Sequence, residues 1–250
     1  MHDIIGTLIQ LSREIGREDR RLALLAEGNT SARAGEGRFA VKASGCSLAT
    51  LGSEDITLCE SAKILASLDG GMLPDREVES VLLGARVNGQ GKKPSVEAMF
   101  HAWLLTLDDV HFVGHCHPVA TNQILCSPGA AEFARNRLFP DEVVCCGPES
   151  VLVPYVDPGI PLAKAIRDET TRFIQKKGLV PRLILLQNHG IIALGKTPNA
   201  VLACLQMAEK AAEIFVGASL LGGPVFMTAD QINRIAKRPD EAYRQRQLKM

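Results

Sequence analysis

Residues 182–195 read RLILLQNHGIIALG, two apolar runs on either side of Asn188-His189-Gly190. Strand-like runs so close together must double back on each other, and Gly190 supplies the positive φ that such a hairpin turn requires. The chain is thereby committed to at least one antiparallel strand pair. The turn also carries a histidine where a histidine has no packing reason to be.

A second run, VHFVGHCHP at 110–118, alternates as a strand does, so residues two apart share a face. His115 and His117 lie on one face, Phe112 and Cys116 on the other. Two neutral imidazoles on one strand face suit a d-block cation such as zinc, and a catalytic site needs a third ligand and an open position. His189 is the candidate third ligand, and Cys116 points away. H-x-H alone does not decide the matter, because a pair exposed at a strand end has the same spacing.

Six histidines serve the chain, and four of them fall in residues 101–117. His111 is two positions too early for the metal face and reads as surface. Glu97 and His101 stand at i and i+4 on one face of a helix expected to run from Ser95, as its cap, through Leu105. A carboxylate beside a metal in a partly apolar pocket can shuttle protons. An acid in a first helical turn also favours the helix dipole, and both readings of Glu97 stand at this point. His101 reads as a structural or hydrogen-bonding residue behind the ligands.

Around these segments, periodicity predicts an opening helix within residues 3–26, broken near Gly16, and two short strands in EGNTSARAGEGRFAVKASG. Helical pieces follow at Glu60–Leu68 and Arg76–Ala85. A helix start is expected at PVATNQILCS and a further apolar strand over residues 142–154, with Cys145-Cys146 as alternating strand positions. An amphipathic helix is expected over Pro161–Lys177 and a long alanine-rich one over 198–221, then a polar helical tail. No repeat or interdomain linker interrupts the pattern, which predicts a single α/β domain over residues 1–250.

Twenty-eight basic residues balance 28 acidic ones. That balance gives no reason to expect nucleic acid or anionic lipid as a partner. The clusters Arg17/Arg20/Arg21 and Arg244/Arg246/Lys249 read as solvated helix faces. Seven cysteines, an odd number without a C-x-x-C pair, fit a reducing compartment. The opening MHDIIGTLIQLSREIGRED carries acids and no long apolar stretch, unlike a secretory signal, and no run is long enough to span a bilayer. The expected location is cytoplasmic.

Five motifs in order, GNTSAR at 28–33, KASG at 42–45, SVEAMFH at 95–101, GHCHPVAT at 114–121 and QNHGIIALG at 187–195, resemble the class II aldolase/adducin family. Its members include fuculose-1-phosphate and rhamnulose-1-phosphate aldolases and ribulose-5-phosphate 4-epimerase. The resemblance implies a three-layer α/β/α sandwich around a mainly antiparallel sheet, often a homotetramer with active sites between subunits. It implies that His115, His117 and His189 hold a divalent metal, usually zinc, with manganese or cobalt as alternatives. Glu97 matches the acid/base carboxylate, and Asn29, Ser44, Gly45 and Ser95 match the loops that hold a substrate phosphate. The implied reaction cleaves or forms a C–C bond in a keto-sugar phosphate or related hydroxy-carbonyl compound, the metal stabilising an enediolate. Epimerisation, dehydration and decarboxylation run on the same scaffold, as does a non-enzymatic adducin-like role.

The chain departs from the family pattern in three places. Ser95-Val96 stands where two adjacent serines are usual. The stretch between Gly45 and Ser95 is longer than in the compact aldolases. No tyrosine occurs near Phe139-Pro140-Asp141, where the aldolases carry a catalytic one. Tyr155 and Tyr243 are the only tyrosines, and Tyr243 in the tail is the candidate proton donor reaching a neighbouring subunit.

Overall fold

The computed structural model describes residues 2–71, 73–247 and 250. Seven strands form one sheet: β1 (Asn29–Arg33), β2 (Arg38–Lys42), β3 (Ile56–Glu60), β4 (Phe112–Cys116), β5 (Val151–Val153), β6 (Leu183–Leu186) and β7 (Gly190–Gly195). Their order is β3-β2-β1-β4-β7-β6-β5. Every pairing is antiparallel except β5 with β6.

Helices α1 (His2–Ile15), α2 (Ser61–Asp69), α3 (Asp75–Gly84), α4 (Ala98–Leu104), α5 (Val119–Leu125), α6 (Ala130–Arg135), α7 (Pro140–Cys146), α8 (Ile160–Lys177), α9 (Pro198–Leu220), α10 (Ala229–Ala236) and α11 (Pro239–Gln247) complete the fold. Alternation along the strands divides the core in two. Cys116, Leu185 and Ile191 pack with Leu8 of α1 and Leu205 of α9. Val113, Ile184 and Ile192 pack with Phe100 of α4 and Ile166 of α8. The sheet is buried on both faces, which is the three-layer sandwich the motifs imply. Each fully buried aliphatic side chain contributes about 2 kcal/mol of this burial.

The expected strand over 142–154 is instead a helix and a short strand. Pro140 sets the first turn of α7, Asp141 and Glu142 suit its positive end, and the buried Glu142 carboxylate accepts the Leu138 N–H at 2.7 Å. Gly147, at φ 82°, ends the helix, leaving only three residues for β5. Cys145 and Cys146 therefore lie on a helix, and Cys146 Sγ faces the Cys204 carbonyl at 3.6 Å. Strand β3 escaped sequence reading because its five residues run directly into α2.

At the N-terminus, the opening helix stops at Ile15. Arg17, Arg20 and Arg21 lie on and around a 3-10 turn rather than on a helix face, and Arg20 pairs with Glu14. Of the C-terminal cluster, Arg244 pairs with Asp141, and Lys249 lies outside the described residues. Among the described residues no helix is long and apolar enough to cross a membrane.

Candidate active site

The site forms at one end of the three central strands. β4 lies between β1 and β7, and its register places His115 opposite Asn29 on one side and Ile192 on the other. His117 follows the last residue of β4, and its N–H donates to the Leu22 carbonyl at 2.9 Å. The β6–β7 turn brings in His189. There the left-handed residue is Asn188, at φ 55°, not Gly190 as the hairpin pattern suggested. Gly190 is needed for another reason. A Cβ on it would sit 2.5 Å from the Cys116 carbonyl oxygen and 2.7 Å from the His117 ring, so only glycine lets the turn close on β4. The turn is tied to α5 through Asn122 Nδ2, which donates to the His189 carbonyl at 3.0 Å.

One donor nitrogen from each of His115, His117 and His189 lies within 4.8 Å of the others. His115 is fully buried, and its Nδ1 meets the Ile191 carbonyl at 2.9 Å. That carbonyl accepts only, so Nδ1 carries the proton and the Nε2 lone pair points into the cluster. His117 Nε2 lies 3.0 Å from His115 Nε2. Burial pushes both imidazoles below their ordinary value, His117 to about 4, which leaves them neutral, the form that binds metal.

Glu97 closes the cluster. Its Oε2 is 3.4 Å from His115 Nε2 and its Oε1 is 3.3 Å from His189 Nε2. The three imidazoles form a group that could hold a divalent metal ion, with the Glu97 carboxylate beside it. Burial raises the Glu97 carboxyl, whereas any proton carried by the facing His115 or His189, with hydrogen bonds from His189 and the Asn29 amide, pulls it below the usual carboxylate range. Glu97 stands at the N-cap position of α4 without a side-chain capping bond, and the helix begins at Ala98 rather than Ser95. Ser95 instead accepts the Glu97 N–H at 3.3 Å in the preceding turn.

Of the expected substrate-loop residues, Asn29 donates to Glu97 and, at 3.3 Å, to Ser95 Oγ. The Ser44 N–H bonds the Lys93 carbonyl at 2.9 Å and the Ser95 N–H bonds the Lys42 carbonyl at 3.2 Å, setting the 43–45 loop beside Ser95. Gly45 adopts φ +77° there. Ser44 and Val96 line a cavity of about 420 Å³. Tyr243 stands apart on α11. It is 59% exposed, its ring lies beneath Arg246, and no contact with the histidine cluster is found among the described residues. His111 is partly buried and outside the cluster.

Two residues of the site were not singled out by sequence. Lys42 is buried, its amine 3.3 Å from the Ala26 carbonyl and near enough to Glu97 to feel its charge. Burial lowers its pKa. Ser31 bonds His101 Nδ1 at 2.6 Å. Both lie within motifs read for other residues, and their inward direction follows from the β1–β2 register, which sequence does not give.

The profile of the class II aldolase and adducin N-terminal domain matches residues 7–216. The chain belongs to that family. A solved class II aldolase domain from Thermoplasma acidophilum is 27% identical, covers 85% of this chain and 93% of its own, and superposes with a TM-score of 0.69. An L-fuculose 1-phosphate aldolase shares the fold at 19% identity and a TM-score of 0.70, over 95% of this chain and 96% of its own. Among curated proteins, the uncharacterized oxidoreductase YuxG of Bacillus subtilis is 27% identical over 218 residues, which is 82% of this chain. This class II aldolase-family chain spans only 29% of that protein's length.

Proposed function

We propose that the chain is a metal-dependent lyase of the class II aldolase type, which cleaves or forms a C–C bond in a keto-sugar phosphate or related hydroxy-carbonyl compound. The observation that carries this reading is the convergence of three imidazoles and one carboxylate at a single point. A divalent cation there, zinc in the first place and manganese or cobalt as alternatives, supplies Lewis-acid polarisation of the substrate oxygens. Glu97 is the acid/base that moves the proton beside the carbonyl. Asn29, Ser44, Gly45 and Ser95 frame the far end of the substrate, where the serine hydroxyls and the Gly45 N–H suit an anion. Tyr243 acts as a proton donor in a neighbouring copy of a homo-oligomer, a tetramer in this reading. The free thiols fit a cytoplasmic setting. An adducin-like role without chemistry would not need the four site residues, and all four are present.

Metal-loaded protein is incubated with a panel of phosphorylated and unphosphorylated hydroxy-ketones and the products are identified. Fragment release that falls at least about 100-fold in Glu97→Gln supports the lyase. Isomers without fragments identify an epimerase, water loss a dehydratase, and CO2 release a decarboxylase. Undiminished turnover in Glu97→Gln removes that residue from the mechanism.

A further inference from the structure

The four site residues leave one buried polar chain unexplained. His101 has no exposed surface and no place among the ligand nitrogens, yet both its ring nitrogens are hydrogen-bonded. The hydrogens in this chain can be assigned from chemistry alone. An ionised carboxylate only accepts, so Asn29 must present its amide NH2 to Glu97 Oε2. The Asn29 oxygen is then turned the other way and meets His101 Nε2. That oxygen also only accepts, so Nε2 must carry a hydrogen. A neutral imidazole has a single N–H, which leaves Nδ1 as an acceptor and makes the Ser31 hydroxyl its donor. Burial holds the His101 pKa at about 3, in keeping with a neutral ring. Phe100 stacks on that ring at 4.7 Å and keeps it from turning.

Every donor therefore points the same way, from Ser31 through His101 and Asn29 to Glu97 Oε2. We infer that His101, backed by Ser31, is a positioning residue that locks the Asn29 amide and so makes Glu97 Oε1 the oxygen that takes the proton. The inference rests on the reading of Glu97 as the base. A proton placed on Oε2 would displace a buried hydrogen bond, whereas Oε1 faces His189 Nε2, at 3.3 Å. Without His101 the Asn29 oxygen loses its donor, the amide is free to rotate, and the two carboxylate oxygens are no longer distinguished.

The first test needs no turnover. Long-range 1H–15N NMR of histidine-labelled, zinc-loaded protein should show His101 as the Nε2–H tautomer across the neutral pH range, and an Nδ1–H tautomer overturns the relay. The second follows deuterium wash-in beside the carbonyl of dihydroxyacetone. His101→Gln, which keeps an N–H donor, should exchange within about three-fold of the parent. His101→Leu should fall about 10- to 100-fold at saturating probe, with zinc content and KM unchanged. Ser31→Ala serves as a second variant should the leucine protein not fold, and its loss should be intermediate. Parent-like exchange in His101→Leu or Ser31→Ala, or loss of zinc in either, overturns the inference. Undiminished exchange in Glu97→Gln would instead sink the reading of Glu97 as base, while the tautomer measurement still reports on the relay.

Discussion

His189 Nε2 stands 3.3 Å from Glu97 Oε1, so the turn after β6 and the cap of α4 meet at one carboxylate. Neither group has an apolar reason to be there. Their meeting depends on a tight approach of three backbone segments, and several expected outcomes follow from that geometry.

Gly190→Ala should disturb the site without replacing a ligand. Its new methyl must push against the Cys116 carbonyl, which is backbone and cannot rotate away. The expected cost is about 1–3 kcal/mol, together with weaker zinc binding as the His189 turn shifts. Denaturant midpoints and zinc titrations of the variant measure both. Parent-like values in each would show that the turn has slack the packing does not suggest.

Glu209 on α9 holds α5 in place. Its carboxylate is buried and accepts from the Ala120 and Thr121 N–H groups and from the Thr121 hydroxyl, at 2.8–2.9 Å. Glu209→Ala leaves those donors unpaired, and about 2–4 kcal/mol of stability should be lost in urea unfolding. A change below about 0.5 kcal/mol would mean that the donors find other partners.

Acid should destabilise the metal-free protein partly through His101. Burial lowers its folded pKa to about 3, against 6.5 for the free side chain. Above pH 6.5 both folded and unfolded chains are neutral there, and the stability is complete. As pH falls from 6.5 toward 3 only the unfolded chain takes the proton, so stability drains away, by on the order of a few kcal/mol. His101→Gln does not titrate and should show a shallower loss of urea midpoint over that window. Equal slopes would contradict the assignment.

If Tyr243 serves a neighbouring copy, two damaged proteins should rescue each other. Tyr243→Phe and Glu97→Gln are each expected to be slow, and co-expressed hybrids should regain part of the parent rate. Hybrids no faster than the separate variants would remove Tyr243 from the mechanism.

Much of this architecture is legible in local pattern, and the exceptions have physical causes. Alternation in VHFVGHCHP places His115 in the site and Cys116 in the opposite core because the strand is buried on both sides. The same reasoning failed over 142–154, where valines and cysteines favour a strand but Pro140, the early acids and Gly147 favour a short helix. The NHG tripeptide gives the turn but not its conformation, because Asn188 tolerates the left-handed region and Gly190 is held by contact with a distant strand. The chain from Ser31 to Glu97 joins β1 to α4 and depends on which way side chains face across a register. No local spacing records that.

The most direct measurement is the metal content of protein purified without added metal, set beside His115→Ala, His117→Ala, His189→Ala and Glu97→Gln. The site described here should hold one divalent ion per chain in the parent, retain it in Glu97→Gln, and lose it in each histidine variant that remains folded. Histidine variants that bind as much metal as the parent would contradict the account.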